Sequence, residues 1–135
     1  MSIRLSLEAR ERLQREAARA GEPAASLAER LIDEGLRQRR HPLMRFVDGP
    51  TGRRARLGRG PDVWELVSFV KRSAATGEDK VAHAADWFRL SASEVESALV
   101  YYAEFSDEID ARIQVNEEAL AEAEAIAAGR RQLLG

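Results

Sequence analysis

The chain has 135 residues, 44% hydrophobic and 33% charged, with a net charge of −2 and no cysteine. That length holds one modest domain or two small ones, and the composition suits a helix-rich globular protein. The lack of cysteine removes disulfides, thiolate metal sites and cysteine nucleophiles, and makes a cytoplasmic location the expectation. No apolar run approaches the roughly 18 residues of a membrane span, and the N-terminus alternates instead of carrying a signal-peptide core.

Net charge hides an asymmetry. Residues 1–60 hold 14 arginines against 8 acids, net +6, and residues 61–135 hold 7 basic residues against 15 acids, net −8. A basic front and an acidic back suggest surfaces with different partners. In chain order, Ser2–Leu7 alternates with a period of two, which predicts a strand with Ile3, Leu5 and Leu7 on one face and Ser2, Arg4 and Ser6 on the other. From Glu8 the spacing turns helical through Leu13, Ala17 and Ala20, and Gly21 fits the stop. Pro23 fits the first turn of a second helix with Leu27, Leu31, Ile32 and Leu36 on its apolar face, ending before His41-Pro42. Arg45–Val47 and Arg54–Leu57 read as two short strands around a turn. Helices follow over about Asp62–Ala75, with Val63, Val67 and Val70 inward, and over Asp79–Phe88. Ser91–Glu94 is a capping box opening a helix with Val95, Leu99 and Tyr102 inward. Ser106 or Asp107 is the expected cap of a last helix reaching Ala128, with Gly129 ending it.

A lone leading strand leaves a row of unpaired N–H and C=O groups. Self-pairing with the same strand of a second chain satisfies them and buries Ile3, Leu5 and Leu7, each contributing roughly 1.5–3 kcal/mol if fully covered. The alternative is a strand docked on the chain's own sheet, in a sequence otherwise poor in strands. The order strand, helix, glycine turn, helix in "IRLSLEARERLQREAARAGEPAASLAERLIDEGL" resembles the ribbon–helix–helix family of CopG-like and Arc-like repressors and antitoxins, over residues 2 to about 38. The resemblance implies a homodimer held by Ile3, Leu5, Leu7, Leu13, Leu27 and Leu31. It also implies operator DNA read in the major groove by Ser2, Arg4 and Ser6. Where family members carry Ser or Thr before the second helix, this chain has Glu22, Pro23, Ala24 and Ala25. DNA binding is therefore expected to be weaker than a typical family member's, or to lean on other arginines such as Arg53, Arg54, Arg56 and Arg59. The competing reading of that arginine run is a solvated hairpin whose arginines pair with nearby acids.

The stretch from "FVDGPTGRRARLGRGPDVWELV" to "LSASEVESALVYYAEFSDEIDARI" resembles VapB-like antitoxin domains that accompany PIN-like ribonuclease toxins, over about His41–Ile113. The two helices after Asp79 could also form a DNA-reading helix-turn-helix. Glu94, Glu96, Ser97 and Glu104 on the exposed side of the second argue against it, because phosphate must be neutralised rather than repelled. A scaffold with Trp64, Trp87, Phe88, Leu99 and Tyr102 as core is the expected role.

In the last helix Ile109, Ile113, Asn116, Leu120, Ala123 and Ala127 step by three and four, flanked by acids. Such a seam suits a partner's groove. Toxins of the PIN-like family have an acidic, magnesium-binding cleft, so the resemblance implies a toxin contact by Ile109, Ile113, Leu120, Ala123, Arg130, Arg131 and Leu133, with Leu134 a further anchor. The bland alternative is a helix packed on its dimer mate with a frayed tail. Neither His41 nor His83 joins a nucleophile or a metal-ligand spacing, so no enzyme activity, metal or cofactor is expected.

The expected fold is mainly α. A ribbon-helix-helix unit with its strand swapped in a dimer (1–40) precedes a small helix-turn-helix-like VapB domain with a short β-hairpin (41–106) and a long C-terminal helix (107–135). The expected function is that of a type II antitoxin which neutralises a PIN-like toxin and autoregulates its operon. Alternatives are a free-standing repressor with a ligand- or protein-sensing rear domain, and an adaptor that binds no DNA.

Overall fold

A computed structural model describes all of the chain, Met1–Gly135. It contains six helices and one two-stranded antiparallel sheet, and it divides into two compact units, Met1–Pro42 and Leu43–Gly135. No helix is long and apolar enough to cross a membrane.

The first unit is a pair of packed helices, α1 (Leu7–Ala20) and α2 (Ala24–Arg40). Residues 2–6 form no strand in the single chain, and Leu7 opens α1 instead of closing a strand. The cause is local: the Ser6 hydroxyl accepts the Ala9 N–H at 3.2 Å, which caps a helix starting at Leu7. Gly21 stops α1 with φ 68°, a left-handed conformation that costs a side-chain-bearing residue about 1 kcal/mol or more. Pro23 is the N-cap of α2, one residue outside the expected first turn. The helix runs on to Arg40, where His41 and Pro42 end it.

The second unit starts with a hairpin, β1 (Met44–Gly49) and β2 (Gly52–Leu57), longer than expected at both strands. Phe46 faces Ala55 and Asp48 faces Arg53 across it. The Pro50-Thr51 loop leaves Gly52 at φ 112°, so the proline lies in the turn and does not interrupt the pairing. Then come α3 (Val63–Arg72), α4 (Glu78–Phe88), α5 (Ala92–Glu104) and α6 (Ser106–Leu134). The Ser91–Glu94 capping box forms: the Ser91 hydroxyl accepts the Glu94 N–H at 3.1 Å, and Glu94 accepts the Ser91 N–H at 3.0 Å.

One core joins hairpin and helices. Met44, Leu57, Val63, Leu66, Val95 and Tyr101 are its largest fully buried side chains. α5 packs on α3, α4 and α6, so its buried arc is wide. Val95, Ala98 and Tyr101 are inside, while Leu99 and Tyr102, expected inward, are half-buried. Trp64 and Phe88 are also half-buried against the core. Trp87 is no core residue: it is 70% exposed, stacked on Phe69 with ring centroids 5.6 Å apart.

α6 differs most from expectation. Neither Ser106 nor Asp107 caps it; Phe105 is the N-cap, without a side-chain hydrogen bond. Gly129 does not end it, and the helix continues to Leu134. Gly129 costs about 1 kcal/mol relative to alanine inside a helix, and the run Ala119, Ala121, Ala123, Ala125, Ala127 and Ala128 before it carries the helix through.

Candidate binding surfaces

Four sets of residues carry the expected contacts, and they have different fates. The proposed dimer residues are mostly uncovered: Ile3, Leu5 and Leu7 are exposed by 69%, 42% and 71%, and Leu31 by 50%. Leu13 is half-buried, and only Leu27 is fully inside. Ile32 and Leu36 add to the uncovered apolar side of α2. Arg4, Ser2 and Ser6 are exposed, with Ser6 engaged as the α1 cap. Glu22, which would repel a phosphate, instead accepts a two-pronged contact from Arg30 at 2.8 and 2.9 Å.

The hairpin arginines have partners within the second unit. Arg53 pairs with Asp48 at 3.2 Å, Arg54 pairs with Asp62, and Arg56 lies 3.8 Å from Asp62. Arg59 reaches across to the start of α5, donating to the Arg89 carbonyl at 3.0 Å and the Glu94 carboxylate at 3.4 Å. Arg54 and Arg56 thus share the single carboxylate of Asp62, and the Arg59 side chain stays largely exposed. Of the basic excess in residues 1–60, the first unit holds only a net +2, with nine arginines and seven acids among residues 1–42. The rest is in residues 43–60, where five arginines stand against Asp48.

Asp62 is the hub of this network, a role that no sequence expectation gives it. It is 5% exposed, accepts the Trp64 indole N–H at 3.2 Å, and is the N-cap of α3 in a capping box with Glu65. The signal was present as Asp-x-x-Glu at Asp62–Glu65. A second missed tie is Arg112, whose guanidinium donates to the Thr51 carbonyl at 2.8 Å and hydroxyl at 2.7 Å. It fixes the hairpin turn to α6. Beside it is a groove of about 260 Å3, lined by the apolar Ala55, Trp64, Ile109 and Val115 and by Arg53, Arg54, Glu108 and Arg112.

A third polar cluster joins α3 to α6. Lys71 donates to Asp110 at 2.6 Å, the Tyr102 hydroxyl donates to the same oxygen at 2.9 Å, and the lysine nitrogen is 5.2 Å from the Tyr102 ring centre. The hydrogen bond to Asp110 raises the Lys71 pKa, and the reverse contact lowers that of Asp110. Glu94 is lowered mainly by the Ser91 N–H it accepts.

The proposed toxin contacts fall into two groups. Ile109 and Ile113 are 4% and 7% exposed and belong to the core, so they are not surface for a partner. They are buried because α6 packs its first turns on α3 and α5. Leu120, Ala123, Arg130, Arg131, Leu133 and Leu134 are exposed. The exposed side of α5 presents Ser93, Glu96, Val100 and Glu104.

No protein-family model, curated protein or solved structure matches the chain.

Proposed function

We propose that the chain is the antitoxin of a type II toxin–antitoxin pair, a homodimer whose first unit binds operator DNA and whose second unit holds a PIN-like ribonuclease toxin. One observation carries this reading. A unit of 42 residues whose only buried hydrophobics are Ala17 and Leu27 leaves Ile3, Leu5, Leu7, Leu31, Ile32 and Leu36 in solvent. Two short helices with so little inside are not stable alone. A second copy that pairs residues 2–7 as an antiparallel ribbon covers those side chains and presents Arg4 outward.

In this reading Arg4, exposed at the start of the first unit, carries the DNA contact. The exposed part of α6, with Leu120, Leu133, Arg130 and Arg131, is the surface offered to the toxin. Its arginines suit carboxylates in a metal-binding cleft. The chain acts in this reading without catalysis of its own, in the cytoplasm.

Co-expression with the product of the adjacent gene tests the toxin half. The full chain is expected to co-purify with that product and silence it. Truncation after Ile113 keeps the core residues yet should lose silencing, and a truncated protein that still silences it places the inhibitory element elsewhere. For the DNA half, the full chain should retain a duplex from upstream of its own gene in low salt, with Arg4→Ala weakening retention and lowering its salt dependence.

A further inference from the structure

The last two-thirds of α6, the part that the antitoxin reading offers to a toxin, carries a repeat of its own. Apolar pairs recur every seven residues: Ala119-Leu120, Ile126-Ala127 and Leu133-Leu134, with Ala123 between the first two. Ile113, seven before Leu120, is the last member inside the core. Beyond it the seam is in solvent, with Leu120 51%, Ile126 66% and Leu133 85% exposed. A strict seven-residue repeat is the signature of a helix that winds around another helix.

Charge says which helix and in which direction. Glu117, Glu118, Glu122 and Glu124 make the first part of the exposed seam acidic, and Arg130 and Arg131 make its end basic. We infer that α6 pairs antiparallel with α6 of a second copy of this chain through this seam. Facing layers are then Ala123 with Ile126, Ala119 with Arg130, and Asn116 with Leu133. Each chain's Arg130 and Arg131 lie beside the other's acidic stretch. A parallel pair would set acid on acid and base on base, at a cost each like-charge contact adds. Small residues at Ala119, Ala123 and Ala127 let the two backbones approach closely. The far end of the seam meets the groove: Val115, next to Asn116, is among its lining residues, and about 260 Å3 there is room for a leucine side chain. Leu134 of the second copy reaches this point in the antiparallel register and in no parallel one. The contact is isologous, so it closes on two chains. It is carried by α6 alone, and in the antitoxin reading the toxin competes with the second copy for this face.

The absence of cysteine makes the test clean. Asn116→Cys and Leu133→Cys are made separately in the full chain, and a short bis-maleimide reads proximity. In the antiparallel pair, Asn116 of one chain lies about 26 Å from Asn116 of the other, seventeen residues at 1.5 Å each. Each variant alone should therefore give no cross-linked dimer, and co-expression of the two should give one. The pair Ala119→Cys and Arg130→Cys repeats the test one layer inward with different side chains. Adding Ile126→Asp to both chains should cut the mixed cross-link at least ~10-fold, since it buries an unpaired charge, with helicity by circular dichroism as the folding check. A cross-link from Asn116→Cys alone would mean a parallel pair, and no cross-link from either mixture would mean that the seam does not pair; either result overturns the inference.

Discussion

Asp62 shows how one side chain can tie several elements of the second unit together. Its carboxylate holds Arg54 of the second strand, accepts the Trp64 indole and caps the first helix after the hairpin. Asp62→Ala strands a half-buried guanidinium and an indole N–H and removes a cap, and is expected to cost about 3 kcal/mol in urea unfolding. Asp62→Asn keeps an acceptor for the helix and should cost less. The Lys71–Asp110 pair gives a pH signature instead. Because the Asp110 pKa is lowered, the stability it adds is present above the ordinary carboxylate range and lost as pH falls through its shifted value. Because the Lys71 pKa is raised, its share is present below the ordinary lysine range and lost only as pH rises through the raised value. Urea midpoints of the wild type and Asp110→Asn should differ by a constant amount between about pH 5 and pH 9 and converge in acid below it. Both ties were hard to read from sequence because they join residues distant in the chain. Lys71 meets Asp110, and Arg112 meets Thr51, only once α6 has docked. Asp62 was legible through its capping box with Glu65, and its pairing with Arg54 was not.

At the scale of elements, local chemistry was legible wherever it decided the outcome alone. Gly21 stopped the first helix, Ser91 and Glu94 started α5, and the Pro50 turn joined two strands. The readings that failed were those in which packing or length outweighed a local signal. Gly129 looked like a stop, but α6 runs through it to Leu134. Gly129→Ala should therefore raise helicity and stabilise this segment by about 1 kcal/mol, readable as increased ellipticity and slower amide exchange over 120–134. A helix that ended at Gly129 would respond with no gain. Trp87 looked like core because helical spacing marks a face without saying what covers it. Helical spacing makes the α6 seam a single surface, yet Ile109 and Ile113 are enclosed while Leu120 onward is not.

The whole molecule consists of two units of unequal self-sufficiency. The second has a core from Met44 to Ile113, and the first has almost none. The helical class and the hairpin were readable from periodicity and turns. The leading strand was read from its alternation, but alternation describes a face and not the chain that pairs with it; in a single chain Ser6 starts a helix instead. The account's central claim is that a second copy supplies the missing half of the first unit. Amide hydrogen exchange over residues 2–7 of the full chain, followed against protein concentration, addresses it most directly. The account predicts protected amides at alternate positions that lose protection on dilution, and loss of that protection in Leu5→Asp. Free exchange of those amides at every concentration, with the chain monomeric or joined elsewhere, would contradict it.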